Sequence, residues 1–218
     1  MAILNVNKPI NWTSFDVVAK YRNISGVKKV GHAGTLDPLA TGVLLLLTGK
    51  DRKNQQNLMG LDKEYEAEVM FGATSPTYDL EGRLSYCEQK PILDEVKKEL
   101  PDTIKKYIGQ IQQTIPPYSA KKVKGTPMYK LARKGKISEK ELPTKTVTIN
   151  SIKILDYFEK DNLPVVRVRI SCSSGTYIRS LARDFGTDLG CGGVLASLVR
   201  TKVGEYSIKD SKSVASLE

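Results

Sequence analysis

The uninterrupted apolar run Val43-Leu44-Leu45-Leu46-Leu47 limits what this chain can become more than any other feature. Bounded by Gly42 and Gly49, it reads as a strand buried on both faces. It falls far short of the ~20 apolar residues a membrane-spanning helix needs, so no transmembrane segment is expected. Gly31 and Gly34 precede it, making residues 27–49 a glycine-punctuated loop that leads into the strand. The opening residues Met1-Ala2-Ile3-Leu4-Asn5 lack a basic region followed by a long apolar stretch, and no secretory signal is expected.

Periodicity supplies the other elements. Ile3-Leu4-Asn5-Val6 is a short strand stopped by Lys8-Pro9, and Thr13-Ser14-Phe15-Asp16 is a T-x-x-D capping signal. It predicts a helix running to about Arg22 with Val17, Val18 and Tyr21 on its apolar side. Tyr65, Ala67, Val69 and Phe71 alternate with Glu64, Glu66, Glu68 and Met70, as in a strand with one solvated face. Helical spacing over residues 92–111, interrupted by Pro101, predicts two helices, and Pro116-Pro117 ends that region. Pro127 marks the start of a short helix over residues 128–134. Residues 145–157 and 165–172 read as strands, the second alternating Val166, Val168 and Ile170 with Arg167, Arg169 and Ser171. Ser174-Gly175-Thr176 leads into a helix with Ile178, Leu181, Ala182 and Phe185 on one face, closed by Gly186. Strands and helices mix without strict βα alternation, and no repeat or linker marks a boundary. The expected class is α+β, one domain over residues 1–218 around a large mixed sheet.

The chain carries 34 Lys plus Arg against 24 Asp plus Glu, a net charge of +10. That balance favours a polyanionic partner, nucleic acid before acidic lipid, because no amphipathic membrane helix accompanies it. Three cysteines, Cys87, Cys172 and Cys191, stand at unrelated spacings beside a single histidine. They build neither a zinc site nor a disulfide framework, and free thiols suit a reducing, cytoplasmic compartment. One histidine also excludes most histidine-based hydrolases, leaving carboxylates, tyrosines and arginines to carry any chemistry.

Four segments could do so. In Gly31-His32-Ala33-Gly34-Thr35-Leu36-Asp37-Pro38, two glycines let the backbone approach a ligand and Pro38 pushes Asp37 toward an extended conformation. A tight turn with Asp37 as its turn residue fits the same residues. The segment is neither a Walker loop nor G-x-G-x-x-G. In Tyr177-Ile178-Arg179, an arginine near a helix N-terminus opposes the dipole and calls for a compensating carboxylate, unless it faces solvent. In Lys63-Glu64-Tyr65, the tyrosine lies on the apolar face of its strand, as a core residue or a stacking one. Pro116-Pro117-Tyr118-Ser119-Ala120-Lys121-Lys122-Val123-Lys124-Gly125 continues to Tyr129 and Ala132-Arg133, and seven of the sixteen residues 121–136 are basic. Such interleaving suits phosphate contacts and base stacking, or a merely solvated face.

Taken in order, these segments resemble the bacterial-type tRNA pseudouridine synthase B family. The resemblance runs through Asn7-Lys8-Pro9, residues 31–44, Lys63-Glu64-Tyr65, Phe71-Gly72-Ala73-Thr74 with Asp79, and Pro-Pro-Tyr-Ser-Ala-Lys. It ends with Gly175-Thr176-Tyr177-Ile178-Arg179-Ser180-Leu181-Ala182-Arg183-Asp184 and Leu198-Val199-Arg200. The Pro-Pro-Tyr-Ser-Ala-Lys segment points to the bacterial type rather than the RNA-guided relatives. Ala33 stands where many members carry threonine, and only about fifteen residues follow Val203, where many members continue into a small β-rich RNA-binding domain. The resemblance thus implies a short form: one catalytic domain built on a mostly antiparallel sheet with flanking helices, residues 100–150 projecting as a basic RNA-gripping flank, and no separate C-terminal domain.

It also implies the reaction, isomerisation of the T-loop uridine of tRNA (position 55) to pseudouridine by base flipping. Asp37 would act as nucleophile or as base at the 2′ carbon, kept ionised by Arg179. Tyr65 would stack on the flipped base and aid proton movement at carbon 5. Tyr177 and Leu198 would wall the pocket, His32 would insert near the vacated position of the loop, and Lys8 and Lys121 would add substrate contacts. A net isomerisation needs no metal, nucleotide or redox cofactor. The expected partner is the T arm of tRNA, bound by a cytoplasmic monomer with no membrane or protein partner. Two alternatives stay open: a tRNA-folding chaperone without chemistry, which needs the basic surface but not Asp37, and a pseudouridine synthase for another RNA.

Overall fold

The structure, a computed structural model, describes residues 3–123, 125–138 and 141–217; Lys124 of the basic run lies outside them. The chain opens with β1 (Ile3–Lys8), α1 (Ser14–Ser25), β2 (Val30–Ala33), β3 (Ala40–Thr48), α2 (Gln55–Gly60) and β4 (Lys63–Phe71). There follow β5 (Ala73–Thr74), β6 (Ser85–Tyr86), α3 (Leu93–Lys105), β7 (Gly109–Thr114), β8 (Lys122–Val123), β9 (Thr126–Pro127) and α4 (Met128–Ala132). The remaining elements are β10 (Thr144–Lys160), β11 (Leu163–Cys172), α5 (Ile178–Asp188), β12 (Gly193–Val203), β13 (Tyr206–Ser207) and β14 (Lys212–Ser213).

A ten-stranded mixed sheet has the order β14-β1-β3-β12-β4-β11-β10-β7, with β13 on β12 and β2 on β3. β1 and β14, and β3 and β12, pair in parallel; β1–β3, β2–β3, β7–β10 and β12–β13 are antiparallel. This is the α+β class the sequence predicts. Among the described residues no helix is long and apolar enough to cross a membrane.

The chain divides into two compact units. The first holds the described part of residues 1–66, 170–174 and 197–218. Its organiser is β3, whose Leu44 and Leu46 pack with Val6, Val17, Val18 and Val30. Val43, Leu45 and Leu47 of the same strand pack with Ala33, Leu58 and Val203. Successive side chains thus enter opposite clusters, as a strand buried on both faces must. α1 is fixed where the capping signal puts it: Thr13 and Asp16 make a reciprocal capping box, and Gly26 closes the helix at φ +69°, a turn beyond Arg22.

The second unit holds residues 67–169 and 175–196. Met70, Ala73, Leu163, Val165, Val194 and Ala196 form one cluster; Ile115, Met128 and Leu142 form another. Two sequence expectations need correction here. Residues 92–111 are not two helices: α3 runs unbroken through Pro101, and β7 follows it. Its buried stripe of Val96, Leu100 and Ile104 outweighs the one donor and the local fit that proline costs. Gly186 does not close α5, which continues to Asp188. A Cβ at Gly186 would lie 2.0 Å from the Gly193 nitrogen, so its role is the close passage of the chain behind the helix.

Candidate active site

In the first unit the loop between β2 and β3 carries Asp37. Five consecutive carbonyls of this loop are held. Gly34 and Thr35 accept from the Arg200 guanidinium at 3.1 and 3.5 Å. Leu36 accepts from Ser14 Oγ at 3.2 Å, and its N–H returns a bond to the same oxygen at 2.8 Å. Asp37 accepts from the Ala40 N–H at 3.0 Å, and Pro38 from the Asn11 N–H at 2.9 Å. The Asp37 side chain itself is half-buried. The backbone that carries this carboxylate is therefore fixed, a condition that preorganised chemistry at Asp37 would need.

Lys8, read from the sequence as a substrate contact, is fully buried. Its ammonium donates to Pro9 O at 2.9 Å, Trp12 O at 2.5 Å and Pro38 O at 3.3 Å. The structure therefore gives Lys8 the work of holding the chain beside Asp37. Leu198 reaches the same region through register: β12 lies parallel to β3 with Leu198 opposite Ala40 and Arg200 opposite Gly42. Only glycine fits at position 42, where φ is +101° and a Cβ would stand 2.3 Å from the Arg200 carbonyl oxygen.

Tyr65 is 8% exposed on β4. Burial pushes its hydroxyl pKa up; the Arg200 charge pulls the other way, while Cys172 and the Asp37 carboxylate add to the rise. Tyr65 is therefore a neutral phenol at pH 7, within the electrostatic reach of Asp37. His32 is mostly buried, and burial followed by the Arg200 charge lowers its pKa, so the imidazole is neutral at pH 7. Its Nδ1 has no hydrogen-bond partner among the described residues.

In the second unit Arg179 stands at the start of α5, 5% exposed. The carboxylate that its helix position calls for is present: Asp79 Oδ2 lies 3.5 Å from Arg179 Nε, with both side chains buried. Asp79 is fixed in turn by Thr77 Oγ1 at 2.5 Å and the Glu81 N–H at 3.0 Å. The remaining guanidinium nitrogens donate to Thr77 O at 2.8 Å and Tyr118 O at 3.1 Å. Tyr177 caps α5 and packs on Ile115, Met128 and Leu142. Buried Gln113 of β7 grips its backbone twice, accepting from Tyr177 N–H at 2.7 Å and donating to Tyr177 O at 3.0 Å. The basic segment is a hairpin, β8–β9, followed by α4, with Lys121, Lys122, Lys130, Arg133, Lys134 and Lys136 at its surface. Because Tyr118 starts that segment and its carbonyl holds Arg179, the basic surface is tied to α5.

Sequence reasoning missed Arg200, Ser14 and Gln113 as working parts. A signal existed for Arg200, an arginine two residues beyond Leu198 and so on the same buried side of its strand.

The family model described as TruB family pseudouridylate synthase (N terminal domain) matches residues 22–178. A protein named tRNA pseudouridine synthase B from a Nostoc species is 45% identical over 217 residues, covering 99% of this chain and 71% of the relative. Its namesake from Bacteroides fragilis is 44% identical over 214 residues, covering 95% of this chain and 88% of the relative. Among solved structures, a Cbf5-Nop10-Gar1 complex matches with TM-score 0.72 and 27% identity over 98% of this chain. An H/ACA ribonucleoprotein bound to a substrate RNA containing 2′-deoxyuridine matches with TM-score 0.69 and 25% identity. This chain spans about half the length of the matched chains in those two structures. The residues that hold the Asp37 loop and the start of α5 thus sit in a sequence whose kinship is unambiguous: the chain belongs to the TruB family of pseudouridylate synthases.

Proposed function

We propose that this chain is a tRNA pseudouridine synthase that isomerises the uridine at position 55 in the T loop, with Asp37 as its catalytic carboxylate. The observation that carries the reading is the clamped loop: a half-buried carboxylate on five held carbonyls, with the Tyr65 phenol within its electrostatic reach. In the reaction the bond from N1 to the sugar breaks, the base turns, a bond from carbon 5 to the sugar forms, and the carbon-5 proton leaves as N1 gains one. The target base must first leave its stack, at a cost of a few kcal/mol. On this reading Tyr65 offers its ring to the flipped base and its hydroxyl to the proton transfer. Asp37, as nucleophile or as base at the 2′ carbon, must be ionised, and Arg179 is assigned as its counter-charge. The Asp79 pair would hold that guanidinium in place.

His32, Tyr177 and Leu198 are assigned to the substrate pocket, and Lys121 with residues 100–150 to the phosphates of the T arm. Residues 1–218 would act as one catalytic domain, a monomer working in the cytoplasm.

The test is product mapping on a T-arm hairpin and on full tRNA, with Asp37→Asn alongside. A single pseudouridine in the T loop, absent with the variant while binding persists within a few-fold, supports the assignment. Loss of binding in the variant sinks the role given to Asp37. Binding without product in the unmodified protein favours the chaperone instead, and product outside the T loop favours another RNA target.

A further inference from the structure

Arg200 is the largest side chain in the protein that is almost wholly buried, at 1% exposure. Its Nε donates to Val43 O at 2.7 Å, and its terminal nitrogens donate to Gly34 O at 3.1 Å and Thr35 O at 3.5 Å. Among the described residues no carboxylate lies within ion-pair distance of it. A buried charge held by carbonyls alone is costly, and burial of a guanidinium is ordinarily matched by an anion. Its three acceptors are not random: two belong to the loop that carries Asp37, and the third, Val43, lies in β3, the strand that follows. The guanidinium has donors and no acceptor, so one side chain ties the carbonyls of Gly34, Thr35 and Val43 together.

We propose that Arg200 is a positioning residue for the reaction: it locks the loop that carries Asp37 to β3 and so holds the backbone of that carboxylate in place. This rests on the reading of Asp37 given above. Arg200 itself is too deeply buried to meet RNA, so its effect on turnover passes through Asp37.

The first experiment compares wild type and Arg200→Lys for kcat, KM and T-arm RNA affinity, with circular dichroism and melting to confirm folding. Lysine keeps the charge but loses the fork. We expect R200K to lower kcat by about tenfold or more with affinity within about threefold. A kcat within about twofold of wild type overturns the proposal. The second experiment needs no Arg200 variant and no activity. The Arg200 Nε–H is followed by NMR, and amide exchange of residues 34–41 by mass spectrometry. The Nε–H should be strongly protected, and the loop amides should exchange slowly. A fast-exchanging Nε–H, or loop amides that exchange as freely as an unstructured segment, also overturns it. Absence of product from wild type would sink the functional reading alone, since protection of the loop is read without turnover.

Discussion

Replacing Asp79 by asparagine tests whether an ion pair, rather than the arginine's shape, holds the start of α5. The Arg179 and Asp79 side chains are 6% and 1% exposed. Removing one member of such a pair strands the other charge, at about 3–5 kcal/mol. Arg179 keeps two carbonyl partners, at 2.8 and 3.1 Å, which argues for the lower end, about 3 kcal/mol. For a chain of this size 1 kcal/mol moves Tm by about 2–4 °C, so D79N should melt about 6–12 °C below wild type. Asparagine keeps the shape and an oxygen for the Thr77 hydroxyl and Glu81 N–H, so the loss is one of charge.

Salt separates this from a surface effect. At 1 M ionic strength the Debye length is about 3 Å and exposed pairs are screened, whereas the D79N deficit should persist. A companion variant tests the cause. If stranded charge is what destabilises D79N, Arg179→Met in the same chain should restore part of the lost stability, because the neutral methionine leaves no buried charge without its partner. Calorimetric melts of wild type, D79N, R179M and the double variant decide the matter. A D79N melting point within about 2 °C of wild type, or a double variant as unstable as the two losses added, refutes the reasoning.

Three further outcomes follow from other parts of the chain. Substituting Lys121, Lys130 and Lys134 of the basic surface with glutamine should weaken T-arm binding and flatten its salt dependence by about 0.7–0.9 for each phosphate no longer neutralised; an unchanged slope removes the flank from the interface. His32 has a folded-state pKa below its ordinary 6.5, from burial first and Arg200 second, so the unfolded chain takes up its proton at higher pH. Stability should therefore fall as pH drops below about 6.5, and urea unfolding at several pH values should show that slope shrinking in H32Q. Thr13→Ala removes the hydroxyl half of the capping box and should lower stability by about 1 kcal/mol, a Tm drop of about 2–4 °C in a thermal melt.

The sequence reading succeeds where the determinants are local. The β3 run is apolar at both parities because both faces are covered, and α1 begins where its capping residues stand. β4 alternates as read, except that Met70 is buried on the side assigned to the glutamates. The failures share a different cause. β12 does not read as a strand, because Ala-Ser-Leu-Val-Arg-Thr-Lys shows no clean period with its arginine inside. Gly186 looks like a helix stop until the chain passing behind it is known. The Asp37 segment stands out through its glycines and its resemblance to a family, but the groups that clamp it come from 22 residues away in Ser14 and 165 or more in Arg200. No window along the chain contains both a loop and its distant clamps. Asp79 stands out in the sequence only as part of a motif, since pairing with Arg179 spans a hundred residues and is decided by packing.

The two buried arginines solve the same problem in opposite ways, and the difference has consequences for chemistry. Arg179 is matched by a carboxylate at 3.5 Å, with both side chains buried. Arg200 is matched by carbonyl oxygens, so its full charge survives, and its influence is felt at both Tyr65 and His32. A positive charge that is not cancelled favours the ionised form of a phenol and disfavours the cation of an imidazole, and those are the directions in which Arg200 pulls Tyr65 and His32. A carboxylate placed against Arg200 would have made its burial less costly and cancelled that field. Loop carbonyls fix the guanidinium without cancelling it. The same bonds that leave the charge intact also hold the backbone of Gly34 and Thr35. Arg200 therefore combines backbone anchoring with a charge that is not cancelled, and R200K, which keeps the charge while breaking the fork, is the substitution that pulls the two apart.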